Sequence, residues 1–226
     1  MCSRYNLTSP PEAVRALFGY RNRPNFPPRY NIAPTQPVAI VRVGADRERE
    51  LALVRWGLIP GWVKDPGAFS TLINARAETA LEKPSFRSAM TYRRCLVPAD
   101  GFYEWTGPKG DKQPHHIRPK DGGPMALAGL WEHWMGAEGS EMESMAILTV
   151  AANDVVGAVH NRMPVILAPE LFDQWLDHDE TRPGEAAALL EPAADSLLEV
   201  IPVSRALNNP RNDSAAVLEP MGGSLL

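Results

Sequence analysis

Residues 38–43 read VAIVRV and residues 51–56 read LALVRW. Both runs are rich in β-branched and aliphatic residues and are bounded by polar or glycine positions, which is the pattern of short strands. The same pattern recurs at 94–97, 101–105, 114–118, 125–132 and 145–151, with a last strand near 199–203. Helices are fewer. Ser9, Pro10 and Glu12 set out a capping box ahead of Val14, Leu17 and Phe18, and this stripe stops at Gly19, so a helix is expected over 10–18. Further helical runs are expected at 84–92, from Pro169 with Leu171, Phe172, Trp175 and Leu176 at helical spacing, and at 184–191. The segment Arg21 to Pro37 is rich in proline, asparagine and arginine and reads as loop, as does Pro60 to Thr71. There is no internal repeat and no low-complexity linker. The expectation is an α+β fold in one domain over 1–226, with strands in curved sheets forming a partly closed barrel and helices at its margins.

The 226 residues are 44% hydrophobic and 22% charged, which excludes disorder, collagen and coiled coil and leaves enough apolar surface for a sizeable core. Gly and Pro, at 17 and 22, favour many turns. No stretch approaches the ~18 apolar residues of a membrane span, and Arg4, Glu12 and Arg15 stand where a signal peptide needs an apolar run. A cytoplasmic protein is expected. With only Cys2 and Cys95, neither a disulfide framework nor a cysteine zinc site is expected. The net charge of −4 conceals an asymmetry: residues 1–118 carry 18 Lys and Arg against 10 Asp and Glu, and residues 119–226 carry 5 against 17. Two readings fit: a basic face supplied by the first half, or two surfaces that pair with each other.

Cys2 is small enough for the initiator methionine to be removed, which would leave an amine and a thiol on adjacent carbons. Such an aminothiol captures aldehydes: the amine forms an imine, and the sulfur closes a five-membered thiazolidine with the advantage of an intramolecular step. An α-amine of pKa about 7.7–8.0 is roughly a tenth to a fifth neutral at pH 7, far more than any lysine. The alternative is that Cys2 is simply the residue that follows the initiator. Glu104, in GFYEW, gains proton-transfer capacity if burial raises its pKa, but the alternating pattern also suits an outward-facing strand residue. Asn74, in LINARAET, either orients a substrate or bridges a turn. His160, in AVHNRMPVIL, is an acid/base candidate or a satisfied structural residue. His115 and His116 are adjacent, so in a strand they face opposite ways and do not share a metal. No metal site or cofactor is expected, and the common phosphate-loop, nucleophile-elbow and zinc-protease signatures are absent.

Seven segments in order, Met-Cys-x-Arg at 1–4, RYNIAP at 29–34, RWGLIPGW at 55–62, INARAET at 73–79, FYEW at 102–105, HNRMPVIL at 160–167 and PVSRALNN at 202–209, together resemble the SOS response-associated peptidase (SRAP) family. The resemblance covers residues 1 to about 209 and leaves 210–226 as a C-terminal tail. It implies a protein that binds single-stranded DNA as a monomer, recognises abasic sites and crosslinks to them through a thiazolidine on Cys2, without a cofactor, in the cytoplasm and on the damaged nucleoid. By the same resemblance Asn74 would position the opened sugar or the amine, Glu104 would shuttle protons, and His160 would help open the sugar and form the imine. Arg4, Arg76 and Arg162 would contact phosphates, and Pro34 and Trp62 would support flanking bases. Three phosphate contacts on a single strand correspond to a logarithmic salt slope on the order of −2. Ser3 and Asn161 depart from the usual Gly and Asp of the family and bear on rate and adduct stability. Two other functions remain open at this point: an N-terminal-nucleophile cysteine peptidase, and a binding module for single strands without catalysis.

Overall fold

The two opening runs pair antiparallel, with Ile40 opposite Ala52 and Val41 opposite Leu51. The structure, a computed structural model, describes residues 2–221. In chain order its strands are β1 (Tyr5–Leu7), β2 (Arg29–Ile32), β3 (Pro37–Val43), β4 (Arg49–Trp56), β5 (Asn74–Arg76), β6 (Arg94–Ala99), β7 (Gly101–Thr106), β8 (Gln113–Pro119), β9 (Met125–Met135), β10 (Glu141–Ala151), β11 (Arg162–Pro164), β12 (Ile166–Leu167) and β13 (Leu198–Pro202). The α-helices are α1 (Pro11–Phe18), α2 (Pro84–Tyr92), α3 (Asp154–Gly157), α4 (Phe172–Leu176) and α5 (Pro183–Ala187).

Strands β4, β3, β6, β9 and β10 form a closed ring, because β10 pairs in parallel with β4 on one side and antiparallel with β9 on the other. The barrel is therefore closed rather than partly closed, and closure removes the exposed edges that an open sheet must protect. It depends on the length of β9, whose residues 125–130 pair with β6 while 129–135 pair with β10. Gly129 sits where both pairings meet; a Cβ there would lie 2.9 Å from Cys95 Sγ and 3.0 Å from Val97 Cγ2. β5 and β11 add to β10, and β12 adds to β9.

A second, wholly antiparallel sheet runs β13-β8-β7-β1-β2. It packs its Tyr5 edge-on against Trp56 of the barrel, ring centres 5.2 Å apart. Phe18 of α1 stacks on Phe172 of α4 at 5.4 Å. Arg94 is buried and gives its guanidinium hydrogens to the carbonyls of Met90, Trp175 (from Nε), Asp177 and Thr181, so one cation satisfies the orphan ends of α2 and α4.

Several expectations are corrected. The capping box at Ser9 does not form: α1 has Pro10 at its N-cap, and the Ser9 amide and hydroxyl both donate to Asp100 (2.7 Å each), a carboxylate that lies between β6 and β7. Gly19 does end the helix, in the left-handed conformation. The stretch read as loop over 21–37 contains β2, whose Tyr30 and Asn31 amides are held by the distant Asp213 carboxylate. The run from Pro169 divides into a 3-10 turn at 169–171 and the short α4, leaving Leu171 only partly buried, and the run at 184–191 is helical only over Pro183–Ala187. Of the two readings of the charge asymmetry, self-pairing has direct support: Arg29–Asp213, Arg42–Glu143, Arg47–Asp179, Arg49–Asp173 and Arg93–Glu132 each join the basic half to the acidic half. Among the described residues no helix is long and apolar enough to cross a membrane.

His116 lies against Gly101, where a Cβ would fall 2.1 Å from its Nε2, and it hydrogen-bonds Asn6 Oδ1 at 2.9 Å. Burial pushes this imidazole down to about 4. Its folded value lies below its unfolded value, so the unfolded chain binds the extra proton between them, and the stability held above pH ~6.5 is lost as pH falls toward 4. Urea unfolding of the wild type is expected to lose up to about 3 kcal/mol across that window from this residue, and His116→Phe is expected to flatten that part of the curve.

Candidate functional site

Cys2 lies three residues ahead of the start of β1, fully buried, with its Sγ 3.6 Å from the Arg4 carbonyl. β1 pairs with β7 through Tyr5 opposite Phe102 and Asn6 opposite Gly101, and the Tyr103 amide donates to the Arg4 carbonyl at 3.0 Å. The start of the chain is thereby stitched to the strand that carries Glu104. Side chains alternate along β7, so Tyr103 and Glu104 face opposite ways, yet both are buried. The outward-facing reading of Glu104 therefore fails, because the sheet is covered on both sides. Tyr103 packs with Val203, Leu207 and Val217 from the C-terminal segment, and Glu104 turns the other way.

His160 is in the turn between α3 and β11, its Nδ1 3.9 Å from Glu104 Oε1. His160 Nδ1 also lies 3.0 Å from the Arg162 amide nitrogen and 3.1 Å from the Arg162 carbonyl oxygen, so the Arg162 backbone holds the ring in place. Asn74 begins β5, fixed by the parallel pairing of β5 with β10, and its Nδ2 donates to the Cys2 carbonyl at 2.8 Å. Asn74 Oδ1 is buried and accepts no hydrogen bond within the described structure. The structure thus brings Asn74 to Cys2 and His160 to Glu104. Glu104 is also close enough to Cys2 to act on it electrostatically: burial first, then the Glu104 charge, push the thiol far above its usual value, so the sulfur is held as S–H. Burial also pushes the Glu104 carboxyl up, against the opposing effect of the His160 charge.

The expected DNA contacts do not form one cluster. Arg4 extends toward Trp105, on the face of β7 opposite Glu104, where its Nη1 donates to Asn31 Oδ1 (2.7 Å) and the Leu207 carbonyl (3.3 Å). Arg76 shares the Asn74 face of β5 and is exposed. Arg162 is bound in both arms of its fork by Glu78 and also donates to Thr149. Trp62 is 61% exposed and stands edge-on to Phe69. Pro34 is half-buried in the turn from β2 to β3, followed by Thr35 at φ 72°, a left-handed conformation that costs a β-branched residue energy. His116 is buried on Asn6, whereas His115 faces Thr106 Oγ1 at 3.3 Å. Among the described residues no group of three metal-ligating side chains gathers.

Two residues with central contacts in this region escaped the sequence reading. Asn31 is the hub of the N-terminal region: besides accepting from Arg4, its Nδ2 donates to the carbonyls of Leu207, Asn209 and Asn212 at 3.2, 3.2 and 2.9 Å. Glu78 lies between Arg76 and Arg162. Both stand in quoted motifs, so the signal was an amide and an acid inside basic segments; their partners are distant in sequence.

A half-buried amide, a buried acid and a half-buried imidazole thus gather with a buried cysteine at the second position, on a closed barrel with an attached antiparallel sheet. The chain belongs to the SOS response associated peptidase (SRAP) family, which it matches over residues 1–210. Abasic site processing protein YoqW of Bacillus subtilis (strain 168) is 38% identical over 224 residues, covering 97% of this chain and 99% of that protein. Abasic site processing protein HMCES of Gallus gallus is 33% identical over 265 residues, covering 98% of this chain and 78% of that protein. The crystal structure of a protein from Bacteroides thetaiotaomicron superposes with a TM-score of 0.86 at 27% identity, covering 97% of this chain and all of that one.

Asn31→Ala removes the side chain that ties Arg4 to three carbonyls. It is expected to cost about 2–4 kcal/mol from the groups left unpaired and to raise hydrogen exchange over residues 205–213. Unchanged exchange in that segment would show that Asn31 is not its anchor.

Proposed function

We infer that this chain processes abasic sites in single-stranded DNA by capturing the ring-opened deoxyribose as a covalent thiazolidine on Cys2. The reaction needs Cys2 at the mature N-terminus; Met1 itself lies outside the described residues. The α-amine adds to the C1′ aldehyde carbon, and the carbinolamine loses water to give an imine. The thiol then adds to the imine carbon and its proton passes to nitrogen. One water leaves in all, and nothing is oxidised or reduced.

The observation that carries the reading is the Asn74 hydrogen bond to the Cys2 carbonyl beside the Glu104–His160 pair. Asn74 fixes the backbone that bears both nucleophilic atoms, and its unpaired Oδ1 suits an N–H or O–H donor such as the amine or an opened-sugar hydroxyl. A Glu104 carboxyl raised by burial suits proton transfer to and from the carbinolamine oxygen and the ring nitrogen. His160, partly exposed next to it, suits the acid/base step at the sugar. The burial that holds the thiol as S–H favours amine-first chemistry and runs against thiolate attack on a peptide. The relatives named for abasic site processing agree with the substrate.

In this reading the chain works as one domain and as a monomer, in the cytoplasm on damaged nucleoid DNA. Arg76, with Arg4 and Arg162, follows the phosphates. Trp62, with Pro34, offers a base a face to stack on, worth ~1–3 kcal/mol.

Protein shown by intact mass to begin at Cys2 is expected to give one covalent band on a denaturing gel with a single-stranded oligonucleotide carrying one abasic site. Cys2→Ala should give none. Cys2→Ser should give no stable band, since oxygen closes a weaker ring. Asn74→Ala should slow adduct formation about 100-fold through lost alignment. No band with wild type, or a stable band that survives Cys2→Ala, would overturn the assignment.

A further inference from the structure

Glu78 is an acid within INARAET, half-exposed between Arg76 and Arg162. A guanidinium has five N–H donors. In Arg162, Nη2 gives its hydrogens to Glu78 Oε2 (2.9 Å) and to the Thr149 carbonyl, Nη1 gives one to Glu78 Oε1, and the Nε–H is buried with no hydrogen-bond acceptor. One Nη1 hydrogen is left over. A phosphodiester therefore cannot take this fork bidentately while Glu78 holds it.

We propose that Glu78 is a specificity-determining residue, a carboxylate that occupies the Arg162 fork in the DNA-free protein, so that a backbone phosphate binds there only by exchange. The inference rests on the single-strand reading above. Exchange is mechanically open: Glu78 is 51% exposed and can turn to water, whereas Arg162 stays anchored by Thr149. It is also close to neutral in energy, since one charge-assisted bidentate pair replaces another. Arg162 consequently orients a strand while adding little to its affinity. Its charge is already neutralised by the protein, so it contributes little to the release of counterions. Intact single strands, which have only phosphate and stacking contacts to offer, are penalised. An abasic site, captured by bond formation at Cys2, is not. Glu78 thereby keeps the protein from being retained on undamaged DNA.

The test is binding of the full chain to intact oligothymidylate by fluorescence anisotropy over a salt series, with crosslinking to an abasic strand measured alongside. At about 0.7 per phosphate on single strands, the wild-type slope should be near −1.4, and Glu78→Gln should steepen it to about −2.1. The same variant should bind the intact strand about tenfold tighter at low salt, and its crosslinking should yield to a smaller excess of intact competitor. The gain should vanish when Arg162→Gln is added, which separates exchange from a general loss of negative charge. Glu78→Ala, with folding checked by thermal melting, gives the same direction if the amide variant folds poorly. Unchanged or weaker binding by folded Glu78 variants that still crosslink would overturn the exchange alone. Absence of both strand binding and adduct in wild type would overturn the single-strand reading beneath it.

Discussion

The pairing of β1 with β7 is the constraint on which the rest depends. It fixes the first residues of the chain against the strand bearing Glu104, and it does so with backbone hydrogen bonds that do not depend on side-chain chemistry. The first residues of a chain ordinarily have the freedom of a frayed end. Here Asn74 adds a side-chain hydrogen bond to the Cys2 carbonyl from the other sheet system, and the barrel supplies the wall behind it. Alignment at the site is thus made by two sheets that meet over one short strand.

The same arrangement explains why the C-terminal segment matters to a site at the opposite end of the sequence. Asn31 and Asp213 clasp residues 205–213 onto β2, the neighbour of β1, and Leu207 and Val217 cover the far side of β7. Glu104 is buried because its strand is covered on both faces, and its raised carboxyl follows from that covering. The chemistry is in this sense a consequence of packing: a strand with one open face would have left Glu104 in water with an ordinary carboxylate.

Much of this was legible beforehand, and the exceptions share a cause. The long strands β3, β4, β9 and β10 announce themselves through their apolar runs, such as VAIV in β3, LALV in β4, MALA in β9 and AILTV in β10, and α1 through its stripe and Gly19. The three-residue strands β1, β5 and β11 carry no periodicity of their own; they exist because β7 and β10 offer them an edge. β2 was hidden in a proline-rich stretch and is held by Asp213 from 182 positions away. Ser9 has the spacing of a cap, but its hydroxyl is turned away as a donor to the Asp100 carboxylate. Cys2, Asn74, Glu104 and His160 could be singled out by chemistry and by resemblance. That Glu104 turns inward, and that Arg162 is already engaged by Glu78, depends on contacts between segments that no local pattern encodes.

The most direct measurement is intact and peptide-level mass spectrometry of the adduct formed with an abasic oligonucleotide, after treatment with borohydride. The account requires a mass equal to the chain starting at Cys2 plus the oligonucleotide less one water, no added hydrogens from the reductant, and a modified peptide whose only altered residue is Cys2. An adduct that carries Met1, that takes up two hydrogens as an open imine would, or that maps to a lysine would contradict it.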